Sequence, residues 1–495
     1  MTSSIISRRT FLKGSASAIA LASLPRFAQG QTTRVRLEWQ QFKTTPQYTS
    51  FLNALRTMRA NTNSGSMSSW SYWVNVHTNY CPHTAPYFLA WHRGYLYYLE
   101  RQLRTVSGDN SLNLPYWDYY SYPRMPAEFL DSSTGNPLYV SQRTGSNVYN
   151  ALTLTPFGSS VWNFQRGTTN AFEPQLESAP HNPVHNLIGG YMANINTSPM
   201  DPIFYLHHCN IDRLWHAWAL PDGKGIPYTT NPYNSSTSSS YWAGSFTYAS
   251  GLTMSRYMTY YPGWLGYDYA NDNKPTSLPP SAKASSPFKL VQAQMGNQLV
   301  RPTVANIAAT APRTVSNTAR SLGGRANLVL TEASVSASMP LDAAAMQTLQ
   351  ATLAAAANNN PAGGPQSVKV VLDNVQVLGN AANAGFFYNV YINLPPAGDV
   401  TGERQRYFLG TFGPFEASIA AHHGGAMLEF PATEVLAGLA ASGLQEVSVS
   451  FVRVSGENAP QGQVLRVGEV RVEVSTEPPW DRSPQVTRPA GQCYC

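Results

Sequence analysis

Charge is scarce in this 495-residue chain: Asp, Glu, Lys and Arg together make up 12% of it. Cysteine is scarcer still, with four residues at positions 81, 209, 493 and 495. Such uneven spacing excludes a disulfide framework as the source of stability. No long apolar run is present, and the one that ends at Leu24 is about eleven residues, too short to span a bilayer. The overall balance of +6 and the pI of 9.0 suggest a nucleic-acid partner, but Arg8, Arg9, Lys13 and Arg26 supply four of those charges within thirty residues that hold no acid. Without that segment the balance falls to +2, so nucleic acid is not an expected partner. The whole chain, 43% hydrophobic and 12% aromatic, has the composition of a folded protein long enough for two or three cores.

The first thirty residues are read as a targeting segment. Ser7-Arg8-Arg9-Thr10-Phe11-Leu12-Lys13 followed by a Gly/Ala/Ser/Ile/Leu run resembles a twin-arginine export signal, with cleavage expected near Ala28. That route carries folded proteins, and it implies a bacterial source. The expected location is periplasmic or secreted, with the export machinery as partner and no stable membrane anchor.

Histidine is unevenly distributed. His77, His83 and His92 lie in one short segment, and His181-Asn-Pro-Val-His185 precedes Asp201-Pro-Ile-Phe-Tyr-Leu-His207-His208-Cys-Asn-Ile-Asp212-Arg-Leu-Trp215. His181 and His185 share one helical face, and Asp201 can cap and Pro202 can start the helix that brings His208. Each cluster offers three imidazoles without a carboxylate or thiolate cage. Imidazole suits zinc, copper, iron and nickel alike, so two such sites suggest a metal pair without naming the metal.

The pattern His77, Cys81-Pro-His83, His92 together with His181-xxx-His185, Asp-Pro-Ile-Phe-Tyr-Leu-His-His and Asp-Arg-Leu-Trp resembles the tyrosinase and polyphenol oxidase family of type 3 dicopper proteins. The resemblance covers residues 35 to 270 through its motifs. It implies two copper ions per chain that share dioxygen as co-substrate, with phenols as substrates. It also implies six ligands, His77, His83, His92, His181, His185 and His208, the second histidine of the pair being favoured over His207. Cys81 and His83 are expected to be joined by a thioether. Glu177 and Asn182 match the family's water-holding pair, which takes the proton from an incoming monophenol. Asp212, one turn after His208, is a candidate acceptor for a ligand N–H. His216, His422 and His423 lie outside both motifs and are given no role.

Apolar periodicity predicts helices over 46–63, around Trp70 to His77, from Pro86 to about Val106, and after Pro202. Four inward histidine-bearing faces describe an antiparallel four-helix bundle around a dimetal site. Gly266-Tyr267-Asp268-Tyr269 resembles the motif that closes the catalytic domain in this family. The expected organisation is a signal peptide over 1–30, a mainly α dicopper domain over 31–270 and a linker with an irregular region over 271–365. An all-β sandwich over 366–478 and a tail over 479–495 follow. Period-two stretches such as Val368-Lys-Val-Val-Leu and Val447-Ser-Val-Ser-Phe-Val carry the sandwich expectation. It resembles the C-terminal domain of plant polyphenol oxidases, which shields the copper site, and an apolar side chain from Phe386-Phe387-Tyr388 is the expected blocker. Cys493 and Cys495 are read as a terminal disulfide or an end without a role.

The expected function is therefore an exported tyrosinase that hydroxylates monophenols and oxidises o-diphenols to o-quinones. The rivals are a catechol or o-aminophenol oxidase, a hemocyanin-like dioxygen carrier, and a two-zinc hydrolase, whose carboxylate ligands the motifs lack.

Overall fold

The computed structural model describes residues 34–82, 86–166, 168, 170–219, 239–280, 319–357, 364–395, 404–422, 427–440 and 444–477, and the backbone of 485–487. The signal segment, His83, His423, the two terminal cysteines and residues 281–318 of the proposed linker lie outside them.

The N-terminal region is mainly helical, as its periodicity requires. Helix α1 (Gln47–Ala60) buries Phe51, Ala54, Leu55 and Met58, and α2 (Trp70–Tyr80) buries Trp70, Trp73, Val74, Val76 and His77. The twenty-residue α3 (Phe88–Ser107) buries a broad stripe that includes His92 and ends at Gly108, whose φ of 70° lets its N–H return to the Arg104 carbonyl. A short α4 (Asn182–Ile188) carries His185, and α5 (Ile203–Ala219) carries His207 and His208. Asp201 caps α5 as expected, accepting the Ile203 N–H at 3.0 Å, and Arg143 fixes the cap with bonds of 2.8 and 2.6 Å to its two oxygens.

A buried charge cluster ties the ends of this region together. Strand β1 (Arg34–Arg36) pairs in parallel with a tyrosine strand, Tyr267–Tyr269, so that Arg36 sits opposite Tyr269. Asp212 accepts from Arg93 at 2.6 Å, from Tyr267 at 2.6 Å and from Tyr269 at 2.5 Å, and Glu100 accepts from Arg36 at 2.9 Å. These partners occupy the Asp212 carboxylate, which corrects its expected role as an acceptor for a ligand histidine. The motif after Gly266 thus closes the helical region through a charge that would be costly to bury unpaired.

The C-terminal region is built on two sheets. With the tyrosine strand as β4 and the Ser245–Ala249 and Leu252–Ser255 hairpin as β2 and β3, the later strands are β5 (Ala319–Leu330), β6 (Val335–Met339), β7 (Ser367–Val377), β8 (Phe386–Ile392), β9 (Phe408–Phe412), β10 (Met427–Pro431), β11 (Val447–Ser455), β12 (Leu465–Ser475) and β13 (Gln485–Thr487). Five pair in the order β13-β10-β7-β12-β5 and four in the order β6-β11-β8-β9. Alternate residues of both sheets, such as Val370, Leu372, Val390 and Phe451, share one apolar core.

Two expectations change here. The region is not all-β, because α6 (Ala343–Ala357), α7 (Pro414–His422) and α8 (Thr433–Ala440) pack among the strands. Its strands also begin at Ala319, inside the stretch read as linker and irregular region, since β5 pairs with β12 along most of its length. The Gly-Gly step and polar residues of β5 hide its period, and the Ala-rich sequence of α6 lacks a charged face to mark it as a helix.

Candidate metal centre

The described histidines of both clusters meet in one buried nest. His77, His92, His181, His185, His207 and His208 are each no more than 3% exposed. His208 lies between the clusters, its ring stacked on His92 at 4.2 Å with planes 15° apart and its Nε2 3.3 Å from Nε2 of His181. His77 lies 5.6 Å from His92 between ring centroids, and Cys81 Sγ approaches Nε2 of His92 at 3.5 Å. His181, His185, His207 and His208 form one group of potential ligand atoms within 4.8 Å of one another, and His77, Cys81 and His92 form a second. His83, the third expected histidine of the first group, lies outside the described residues.

The neighbours of three rings set their orientation. Nδ1 of His92 meets the Phe88 carbonyl at 2.8 Å, Nδ1 of His185 meets the Met192 carbonyl at 2.8 Å, and Nδ1 of His181 meets Oδ1 of Asn182 at 2.7 Å. An oxygen acceptor at Nδ1 places the ring proton there and leaves Nε2 as a lone-pair donor. Nε2 of His185, Nδ1 of His208 and both nitrogens of His207 are buried without a hydrogen-bond partner. Each such orphan costs about 1–3 kcal/mol if nothing occupies it. Neutral imidazoles with inward lone pairs fit a bound metal pair, and the absence of carboxylates among them fits copper better than a hard cation.

Burial keeps these rings neutral. It lowers the pKa values of His92 and His185 to about 3, partly offset by their carbonyl partners. His77, His181, His207 and His208 are held well below the ordinary range, first by burial and then by neighbouring imidazoles. Ligation needs that neutral form. His216 lies apart, with Nε2 3.3 Å from Asp268. His422 is exposed, yet close enough to add to the depression at His77.

Glu177 and Asn182 are both buried, with partners the sequence did not reveal. Glu177 forms an ion pair with Arg166, and the Asn182 side chain is committed through Oδ1 to His181. Arg166 sits on a loop held by Glu173, whose carboxylate accepts the Arg166 N–H at 3.1 Å, the Leu89 N–H of α3 at 3.2 Å and the Tyr241 hydroxyl at 3.1 Å. Burial raises the Glu173 carboxyl to about 7 despite these donors.

The C-terminal region reaches this nest through α7. The Phe415 ring stacks on His185 at 4.1 Å with planes 12° apart, and it lies 5.8 Å from His181. Its backbone N–H donates to Asn186 at 2.9 Å, and Asn186 donates to Glu416 at 2.9 Å. The side chain over the histidines is therefore Phe415, not one from Phe386-Phe387-Tyr388. Strand alternation turns Phe386 and Tyr388 into the core between the sheets, with Arg453 3.7 Å from the Phe386 ring, while Phe387 packs into the core of the helical region. No pattern in the sequence marks a nine-residue helix between two strands as the contact.

Comparison with known proteins agrees with this arrangement. The family described as the common central domain of tyrosinase matches residues 67–150 and 128–220, and a twin-arginine translocation signal matches residues 6–25. A domain of unknown function, DUF7868, matches residues 322–474. A tyrosinase of Hahella sp. (strain CCB-MM4) is 35% identical over 184 residues, which are 30% of this chain and 40% of that protein. The chloroplastic polyphenol oxidase A1 of Vicia faba is 28% identical over 211 residues, 32% of this chain and 35% of that one. The alignments thus span less than half of either relative. The solved structure of latent apple tyrosinase superposes on 92% of this chain and 99% of its own with a TM-score of 0.50 at 18% identity, a likeness of fold.

Proposed function

Because this chain belongs to the tyrosinase and polyphenol oxidase family and carries a twin-arginine export signal, we propose that it is an exported copper oxidoreductase that hydroxylates monophenols and oxidises o-diphenols to o-quinones. In this reading His77, His83 and His92 hold one copper ion and His181, His185 and His208 the other. The observation that carries the reading is the set of inward, neutral imidazole nitrogens, with Nε2 of His181 and of His208 3.3 Å apart and Nε2 of His185 without a partner. Copper, when bound, supplies the activation of dioxygen.

The remaining groups act on geometry and protons. Asn182 fixes the His181 tautomer, Phe88 and Met192 fix those of His92 and His185, and Glu177 receives the phenolic proton through a water. A free phenol has a pKa of about 10, so a base matters more for a monophenol than for a catechol. His207, stacked on His181 at 5.1 Å and 5.8 Å from Tyr119, is a packed neighbour and not a ligand. Cys81 joins His83 through a thioether and restrains that ring. The bundle of α2, α3, α4 and α5 encloses the pair, and the two sheets, packed as a sandwich with flanking helices, hold Phe415 where a phenol ring would stack.

A second reading rests on that Phe415 contact, because a closed copper site also describes a dioxygen carrier. Assay of the copper-loaded protein with a monophenol and its o-diphenol separates the cases. Turnover of both supports the tyrosinase reading, and turnover of the diphenol alone leaves a catechol oxidase. Reversible dioxygen binding without turnover leaves a carrier.

A further inference from the structure

Arg166 has no role in the family pattern on which the sequence reading rests, yet the fold directs considerable structure toward placing it. Its side chain is 3% exposed and ion-paired with Glu177, itself 2% exposed. The loop that delivers it is pinned on both sides. The Phe172 N–H donates to Asn163 and the Glu173 N–H to Phe164, both at 2.9 Å, and the Glu173 side chain accepts the Arg166 N–H. The same Glu173 carboxylate caps the first turn of α3, the helix that carries His92, and holds Tyr241.

Two acidic residues one turn apart thus converge on one buried arginine. Glu173 fixes its backbone and Glu177 its guanidinium. A lone buried carboxylate would be driven toward its neutral, protonated form by desolvation, and a neutral carboxyl cannot accept a proton. The guanidinium reverses that preference.

We propose that Arg166 is a positioning residue for proton removal: it holds Glu177 ionised and fixed in direction, so that the carboxylate is ready to accept the proton of a monophenol. The inference rests on the reading of Glu177 given above and names the residue that makes that reading chemically workable. In the step itself the phenolic O–H bond breaks, the proton passes through the bridging water to the Glu177 carboxylate, and it leaves to solvent before the next turnover. Among the described residues, the charged and titratable groups facing Glu177 include Arg166 and, one turn away, Glu173, with Tyr241 behind it.

The test uses the full copper-loaded chain, with Arg166→Gln, Arg166→Lys and Glu177→Gln compared with the parent on a monophenol and on its o-diphenol across pH. Losing the guanidinium is expected to move the acidic limb of the monophenol profile up by about one pH unit or more. Monophenol kcat near neutrality should fall about tenfold, while diphenol kcat stays within about twofold, because general-base help is worth roughly 10²–10⁴ where a proton must be removed. Arg166→Lys keeps the charge and should restore most of the monophenol rate. It decides alone if Arg166→Gln does not fold, equal losses on both substrates then counting against the proposal. A readout independent of copper is infrared spectroscopy of the metal-free protein. Arg166→Gln should show an additional protonated-carboxyl band that the Arg166→Gln/Glu177→Gln double variant lacks.

An unmoved acidic limb with no new carboxyl band overturns the role of Arg166, provided that Glu177→Gln still loses monophenol turnover selectively. Glu177→Gln acting equally on both substrates, or a parent with no monophenol turnover, overturns the Glu177 reading and this inference with it.

Discussion

The ring of Phe415 lies flat against that of His185, 4.1 Å away with 12° between the planes. One residue comes from a helix wedged between strands of the C-terminal sheets and the other from the histidine nest. The contact is held by Asn186, which follows His185 in sequence and accepts from the Phe415 N–H while donating to Glu416. Thr411 adds a bond to the Ser178 carbonyl at 2.8 Å, and Ser418 accepts the Ile195 N–H at 3.0 Å. In the proposed reading, a flat ring over this imidazole occupies the place where a phenol would stack.

Truncating that ring should open the site. An aromatic contact of this kind contributes about 0.5–1.5 kcal/mol beyond its buried area, so Phe415→Ala is expected to lower the Michaelis constant for catechol several-fold without altering bound copper. Steady-state kinetics and metal analysis of the same preparation check it. An unchanged Michaelis constant would remove Phe415 from the account.

Gly413 offers a test that leaves the aromatic in place. A Cβ at this position would sit 2.7 Å from the Asn186 side chain, closer than real Cβ atoms come to anything. Gly413→Ala should therefore weaken docking and lower the Michaelis constant for catechol, in the same direction as Phe415→Ala. Limited proteolysis should also detach the C-terminal region faster.

The helices and the histidines were readable in the sequence because both rest on local spacing. Trp70, Trp73, Val74 and His77 form one stripe, and Asp201-Pro202 announces the start of α5. The long-range partners were not readable. Arg166 reaches Glu177 from a loop with no periodicity, Asp212 is claimed by two tyrosines more than fifty residues downstream, and Phe415 reaches His185 across 230 positions. Strand β5 was missed for a different reason: its two glycines and its charges break alternation, and only pairing with β12 makes it a strand.

Asn182 should matter for metal retention. Its Oδ1 fixes the His181 proton on Nδ1, and removing such an outer partner typically costs 10–100-fold in metal affinity. Asn182→Ala is expected to lose the second copper ion to a competing chelator at correspondingly lower chelator concentration, while Asn182→Asp retains it. Equal retention by the parent and Asn182→Ala would confine Asn182 to packing.

The metal-free protein should weaken in acid. Burial lowers the ring pKa values of His92 and His185 to about 3 in the folded state, against about 6.5 for a free imidazole. Between those values the unfolded chain binds more protons than the folded one, so stability is fully present above about 6.5 and is lost as pH falls toward 3. Melting temperature measured on the metal-free protein should fall steadily from pH 7 to pH 4. In His185→Gln the slope should be shallower, and an equal slope would show that His185 does not titrate with folding.

Cys81 and His83 should be covalently joined in active protein. A tryptic digest is expected to contain a linked species two hydrogens lighter than the separate side chains require. A fully alkylatable Cys81 in protein at full activity would exclude the bond.

In the proposed reading two three-histidine sets hold two copper ions, with His208 and not His207 completing the second. Copper titration of the metal-free protein, with turnover of an o-diphenol followed in the same samples, tests it most directly. Two ions per chain and full turnover are expected for the parent, two ions and substantial turnover for His207→Ala, and at most one tightly held ion with no turnover for His208→Ala. Fewer than two ions in the parent, or two ions and full activity in His208→Ala, would contradict it.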